Sequence, residues 1–170
     1  MLFRFRKMRA MDPLQVAMTG VRMGERYLQI FCSDAALTSG LATKTGLSGA
    51  AALAAADESQ AKAARKAAEK AGALIDVQVT SPTQLPWDDD AFDMVVVDNT
   101  GGAFRALDEL ARATCLDDSR RVLRAGGRIE FIERMGEATH AEALLASAGF
   151  KPVRTLAERD GFRFIEGLKG

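Results

Sequence analysis

Chemistry in this chain would have to come from a few polar groups placed where short apolar runs end. Asp98 and Asn99 follow Phe92-Asp93-Met94-Val95-Val96-Val97, the strongest apolar run in the sequence. An acid at such a boundary can take a proton or orient a reacting group. An Asp-Asn pair also forms turns through its own backbone, which is the plainer reading. Asp57 follows the run Gly49 to Ala56 and opens a helix-forming stretch, where a carboxylate caps free amides. Glu133 ends another apolar run, where it could line an acceptor site, and reads more simply as a solvated loop acid. Cys32 stands just before a helical stretch, where a thiol can be acidified. No base is near it in sequence, so a buried structural cysteine is the simpler reading. Two cysteines, Cys32 and Cys115, and the single histidine His140 show no metal-ligand spacing, and no metal site is expected. His140 itself reads as a surface residue in the first turn of a helix.

These residues need a frame. Apolar runs alternate with helix-forming stretches, the pattern of a parallel sheet covered by helices. Asp12-Pro13 starts a lead-in helix over 14–19, closed by Gly20. Strands are expected at 27–31, 49–56, 74–79, 92–97 and 128–133. Helices are expected at 35–45, 60–71, 107–123 (in one or two pieces) and 139–148. Alanine is a poor strand former, yet Gly49 to Ala56 is read as strand because Asp57-Glu58-Ser59 is a helix-start signal that an unbroken helix would bury. Thr139 and Glu142 have the spacing of a capping box. The segments 152–158 and 162–168 are strands joined across Asp160-Gly161, a hairpin turn signal. The fold class is therefore α/β: a Rossmann-like, doubly wound sheet of five parallel strands plus a C-terminal antiparallel β-hairpin, with helices on both faces.

Bulk properties narrow the function. The 170 residues fit one domain, placed at 12–170, and 48% hydrophobic with 27% charged residues is globular composition. Lys+Arg and Asp+Glu are both 23, so no nucleic-acid partner is indicated. No apolar stretch approaches the length of a membrane span. The first ten residues, MLFRFRKMRA, are basic, but Asp12-Pro13 follows instead of the apolar core of a signal peptide. A cytoplasmic location is expected. The arm, 1–11, reads as a frayed solvated terminus, or as a contact for a membrane, RNA or an acidic partner.

Three local sequences add a family likeness. Leu85-Pro86-Trp87-Asp88-Asp89-Asp90-Ala91-Phe92-Asp93 leads into the fourth strand, Arg120-Arg121-Val122-Leu123-Arg124-Ala125-Gly126-Gly127-Arg128 leads into the fifth, and Ala148-Gly149-Phe150 precedes the sixth. In that order they resemble the class I S-adenosylmethionine-dependent methyltransferases, from about Asp12 to the C-terminus. The resemblance implies S-adenosylmethionine as cofactor, held at the carboxyl ends of the strands. It assigns the loop after the first strand to the methionine part of the ligand. Here Gln29 stands at the family's acid, and Phe31, Ser33 and Ala35 at its three glycines, with Asp34 beside them. It assigns Asp57, next to Glu58, to the ribose hydroxyls, and Ser81, next to Pro82, to the adenine amine. Asp98 would line the ligand and serve as the catalytic acid-base or orienting group. The activity implied is methyl transfer to a small-molecule acceptor, recognised by the N-terminal segment and the strand-end loops. The other reading is a non-catalytic binding or scaffolding domain that has lost the cofactor with its glycines. A nicotinamide enzyme is disfavoured, since no G-x-G-x-x-G follows the first strand. The direction of the Phe31 ring, into the core or into the cofactor space, separates the first two.

Overall fold

A computed structural model describes residues 13–137 and 139–170. The basic arm and Asp12 lie outside the described residues. The elements follow as α1 (Pro13–Met18), β1 (Arg26–Ile30), α2 (Ala35–Thr45), β2 (Ala50–Ala55), α3 (Glu58–Ala71), β3 (Asp76–Val79), β4 (Phe92–Asn99), α4 (Glu109–Val122), β5 (Leu123–Arg134), α5 (Ala141–Ser147), β6 (Val153–Arg159) and β7 (Phe162–Leu168). The sheet has seven strands in the order β3-β2-β1-β4-β5-β7-β6. Strands β1 to β5 pair in parallel, while β7 runs antiparallel to both β5 and β6. Asp160 and Gly161 turn that hairpin with φ of 51° and 80°, as a tight primed turn requires.

Burial on both faces explains β4. Val95 and Val97 join the core under α4 and α5, and Met94 and Val96 join the core under α1 and α2. All four are fully buried, and each such side chain contributes about 1.5–3 kcal/mol. The alanines of β2 also find a reason. Ala55 and Leu53 share a cluster with Ala61 and Ala64 of α3. Small residues on both elements let helix and sheet approach closely, which overrides alanine's weak strand propensity. At the amino end of β4, Asp93 accepts from the backbone and guanidinium of Arg26 and, at 2.6 Å, from Nε of Arg124. Burial pulls this carboxyl upward, but the two arginines outweigh it and hold it at about 2. Strands β1, β4 and β5 are thereby clamped together at one end.

One expectation narrows and two change. The segment 107–123 holds one helix, α4, capped by Asp108, whose side chain accepts from the Ala111 amide at 2.7 Å. The strand expected at 128–133 starts earlier, so β5 takes in 123–127. The capping box before α5 is absent: His140 holds the N-cap position with φ of 55° and no side-chain cap. Thr139 instead donates its hydroxyl to Glu133, and Glu142 accepts from Thr155 at 2.6 Å. Partners across space outcompeted the local pair. Cys32 and Cys115 are free and buried. Among the described residues, no helix is long and apolar enough to cross a membrane.

One core residue is costly. Glu130 is fully buried in β5, opposite Val96 and Glu166, and among the described residues neither of its carboxyl oxygens has a hydrogen-bond partner. Burial, reinforced by the Glu166 carboxylate, pushes its pKa from 4.5 up to about 9. The folded chain then holds a proton that the unfolded chain has released, so stability falls as pH rises from about 4.5 towards 9. Thermal unfolding between pH 6 and pH 8 should show a drop in Tm of at least about 3 °C, which Glu130→Gln should largely remove. Parallel Tm profiles for the two proteins would show that Glu130 is not the group responsible.

Candidate functional site

The chain runs from β1 outward through β2 to β3, then returns to β4 on the other side of β1. A sheet with this reversal of strand order offers ligands a position at the carboxyl ends of the two neighbours, β1 and β4. The residues singled out from the sequence lie along this edge. Gln29 is near the end of β1, Phe31, Ser33 and Asp34 follow it, Asp57 and Glu58 follow β2, Ser81 and Pro82 follow β3, and Asp98 is near the end of β4.

The loop after β1 begins with Phe31 at φ of 67°. This left-handed conformation is natural for glycine and strained for phenylalanine. It also breaks the in-and-out alternation of the strand. The ring turns to the same side as Leu28 and Ile30 and joins the larger core cluster with Val95 and Val97. Phe31 is only 4% exposed. Its amide still pairs with Ala54 O at 3.1 Å, extending the ladder to β2. Gln29 is buried beneath it, donating Nε2 to Phe31 O at 2.9 Å and to Thr38 Oγ1 at 3.0 Å. At the position of the family's acid, this side chain thus shapes the loop.

Beyond Phe31 the loop is tied to β4. Ser33 N donates to Asp98 Oδ2 at 3.0 Å, and Gly101 N donates to Ser33 Oγ at 3.1 Å. A Cβ on Gly101 would sit 2.6 Å from Ser33 Oγ, so only glycine allows this approach. Asp98 also accepts from the amide and hydroxyl of Thr100, at 3.0 and 2.6 Å. Its carboxylate is fully buried and satisfied by these three donors. Burial pushes its pKa up, opposed by the Thr100 and Ser33 hydrogen bonds. Asp34 caps α2, accepting from Ala36 N at 2.9 Å. Burial raises the Cys32 thiol to about 11, so it is no acidified nucleophile.

The end of β2 is more open. Asp57 is exposed and caps α3 through Oδ1, which accepts from Gln60 N at 2.8 Å. Among the described residues, its Oδ2 has no partner. Glu58 turns aside to pair with Arg65 at 3.1 Å. Ser81 shares a hydrogen bond with the Thr83 hydroxyl at 2.7 Å, and its neighbour Pro82 is half-buried.

One group went unrecognised in the sequence and one was misread. Gln60 Oε1 accepts from Cys32 N at 3.3 Å and Ala56 N at 3.2 Å, bridging the loops after β1 and β2. The D-x-x-Q spacing of Asp57 and Gln60 is a capping-box signal that could have found it. Glu133 is 1% exposed and not a solvated acid. Burial raises its pKa, opposed by the Thr139 hydroxyl. It pairs in register with Asn99, whose Oδ1 accepts from Phe104 N and Arg105 N while its buried Nδ2 has no partner among the described residues. Among the described residues, no cluster of three or more His, Cys, Asp or Glu could hold a metal ion.

Comparison with known proteins places the family and the fold. The family model described as the ubiE/COQ5 methyltransferase family matches residues 3–150. A SAM-dependent methyltransferase from Aquifex aeolicus superposes with a TM-score of 0.79 at 15% identity, covering 94% of this chain and 90% of that one. A SAM-dependent O-methyltransferase from Thermotoga maritima gives 0.70 at 16% identity, covering 92% and 63%. An arsenic(III) S-adenosylmethionine methyltransferase from Chlamydomonas reinhardtii gives 0.64 at 17%, covering 88% and 64%. Among curated proteins, none matches the sequence. The expected sheet, parallel with a closing antiparallel hairpin, is the one these structures share.

The Asp98 contacts set an expected outcome. Asp98→Asn places an NH2 group against amide donors and should destabilise the fold by about 1–3 kcal/mol. Calorimetry should find Tm lower by roughly 3–10 °C. An unchanged Tm would mean that the Ser33 and Thr100 donors do not depend on this carboxylate.

Proposed function

We propose that this chain, which belongs to the ubiE/COQ5 methyltransferase family, transfers a methyl group from S-adenosylmethionine to a small-molecule acceptor. The observation that carries this reading is the Phe31 ring. It packs into the core with Leu28 and Ile30, so the residue at the first glycine position does not stand in the crevice between β1 and β4. The residues at the β2 edge fit the sugar of such a cofactor. A carboxylate accepting two hydroxyl hydrogen bonds is a good ribose clamp, and Asp57 is exposed with one oxygen already fixed by its cap. The cap orients that carboxylate before any ligand arrives.

When bound, S-adenosylmethionine supplies an electrophilic methyl group on sulfur. The chain's part is largely positioning. Asp57 would hold the ribose, and the Ser81 hydroxyl lies where it could accept from the adenine amine. Asp98 keeps the loops after β1 and β4 in register through Ser33 and Thr100, which makes it a positioning residue in this reading. The equal counts of basic and acidic residues offer no general attraction for nucleic acid, consistent with a small acceptor.

One observation favours the second reading, a domain that keeps the fold without the cofactor. Ser33 spans the crevice from the β1 side to Gly101, where glycine would leave room. Thermal unfolding with S-adenosylmethionine or S-adenosylhomocysteine at millimolar concentration separates the two. A ligand at about 100 times its Kd adds about 2.7 kcal/mol, a rise in Tm of roughly 5–10 °C for a domain of this size. Asp57→Asn keeps the helix cap but loses the charge, so it should unfold like the wild type alone and lose most of the ligand-induced rise. Absence of any rise in the wild type with either ligand would sink the methyltransferase reading and leave the scaffold.

A further inference from the structure

Five backbone donors at this edge are already taken by the chain itself. Cys32 N and Ala56 N donate to Gln60 Oε1, Gly101 N to Ser33 Oγ, and Ser33 N and Thr100 N to Asp98. Amides at the carboxyl ends of strands beside a topological switch, next to helix N-termini, are the donors that α/β domains offer to ligands. A ligand entering between β1 and β4 finds them engaged.

We propose that Ser33 and Gln60 are internal competitors of the ligand, and that their displacement sets the affinity of the site for the cofactor. The inference rests on the reading that the crevice binds S-adenosylmethionine. The three side chains that hold these amides are not equivalent. Asp98 is fully buried, with no solvent to receive it, and stays. Ser33 is exposed and Gln60 half-buried, so each can rotate into water without opening the core. Ser33 needs one rotation about its Cα–Cβ bond to release Gly101 N. Gln60 reaches Cys32 and Ala56 from the first turn of α3 through a flexible three-bond side chain, and its own backbone stays fixed by Asp57. Both therefore leave without disturbing the loop. The same Gln60 movement frees one amide after β1 and one after β2, so it exposes donors on both sides of a ligand spanning the two loops. Each released side chain exchanges its bond for one to water, and the ligand must make up the difference.

The test titrates S-adenosylhomocysteine into the full chain by calorimetry, using the wild type, Ser33→Ala, Gln60→Ala and Gln60→Glu. Removing a competitor worth about one net hydrogen bond should tighten binding about 3–10-fold for each alanine variant. Gln60→Glu keeps the acceptor oxygen and should bind no more tightly than the wild type. Amide exchange without ligand gives a second readout: Cys32 and Ala56 should exchange faster in Gln60→Ala, and Gly101 in Ser33→Ala, while other core amides keep their protection. Affinity unchanged or weakened in both alanine variants, with the wild type binding, overturns the proposal and leaves the methyltransferase reading intact. Binding by the alanine variants but not by the wild type supports the proposal and removes that reading for the natural chain. No binding by any of them overturns both.

Discussion

Strand β4 carries an aspartate near each end, and the sheet is organised around those two carboxylates. Asp93 gathers Arg26 of β1 and Arg124 of β5 at the amino end. Asp98 gathers the loops after β1 and β4 at the other. Between them lie Met94 to Val97, buried on both faces. The apolar middle supplies the free energy but no register, since any such strand could slide by two residues and bury equally well. The charged ends fix the register. They also fix what the crevice can be, because the loop after β1 meets β4 through the Asp98 carboxylate.

Much of this was legible in the residues. The run 92–97, the glycines closing helices and the Asp160-Gly161 turn each report a local constraint, and each appears where the pattern places it. β2 was legible only through its neighbour: the alanines argue for helix, and the start signal at Asp57 argues against it. Contacts across space were not legible. Thr139 and Glu142 have capping-box spacing, yet each is claimed by a residue on another element. Glu133 looked like a loop acid because nothing in the local sequence shows that α5 and β7 close over the end of β5. Gln60 is the instructive case, since its spacing from Asp57 was readable while its reach to Cys32 was not.

The loop after β1 shows how a motif can change while its geometry is kept. On the resemblance drawn from the sequence, Gln29, Phe31 and Ser33 would stand at the acid and the first two glycines of the family pattern. The backbone at Phe31 still takes the left-handed conformation that glycine would adopt freely. Strain of about 1–3 kcal/mol at such a position is offset by burying the ring, worth up to about 3 kcal/mol. Gln29 holds the strained carbonyl in place from below. Replacements that remove a glycine's freedom are thus tolerated because other contacts impose the same shape.

The filled donor set at the strand ends has a consequence for the life of the protein in a cell. Sites that leave amides unpaired until a ligand arrives make the empty form less stable, and quality control then removes it when the ligand is scarce. Here Cys32, Ser33, Ala56, Thr100 and Gly101 all have partners supplied by the chain. The empty form offers proteases no loosened loop on that account. A bound ligand would still add stability by mass action, but these five amides do not make the empty form depend on it.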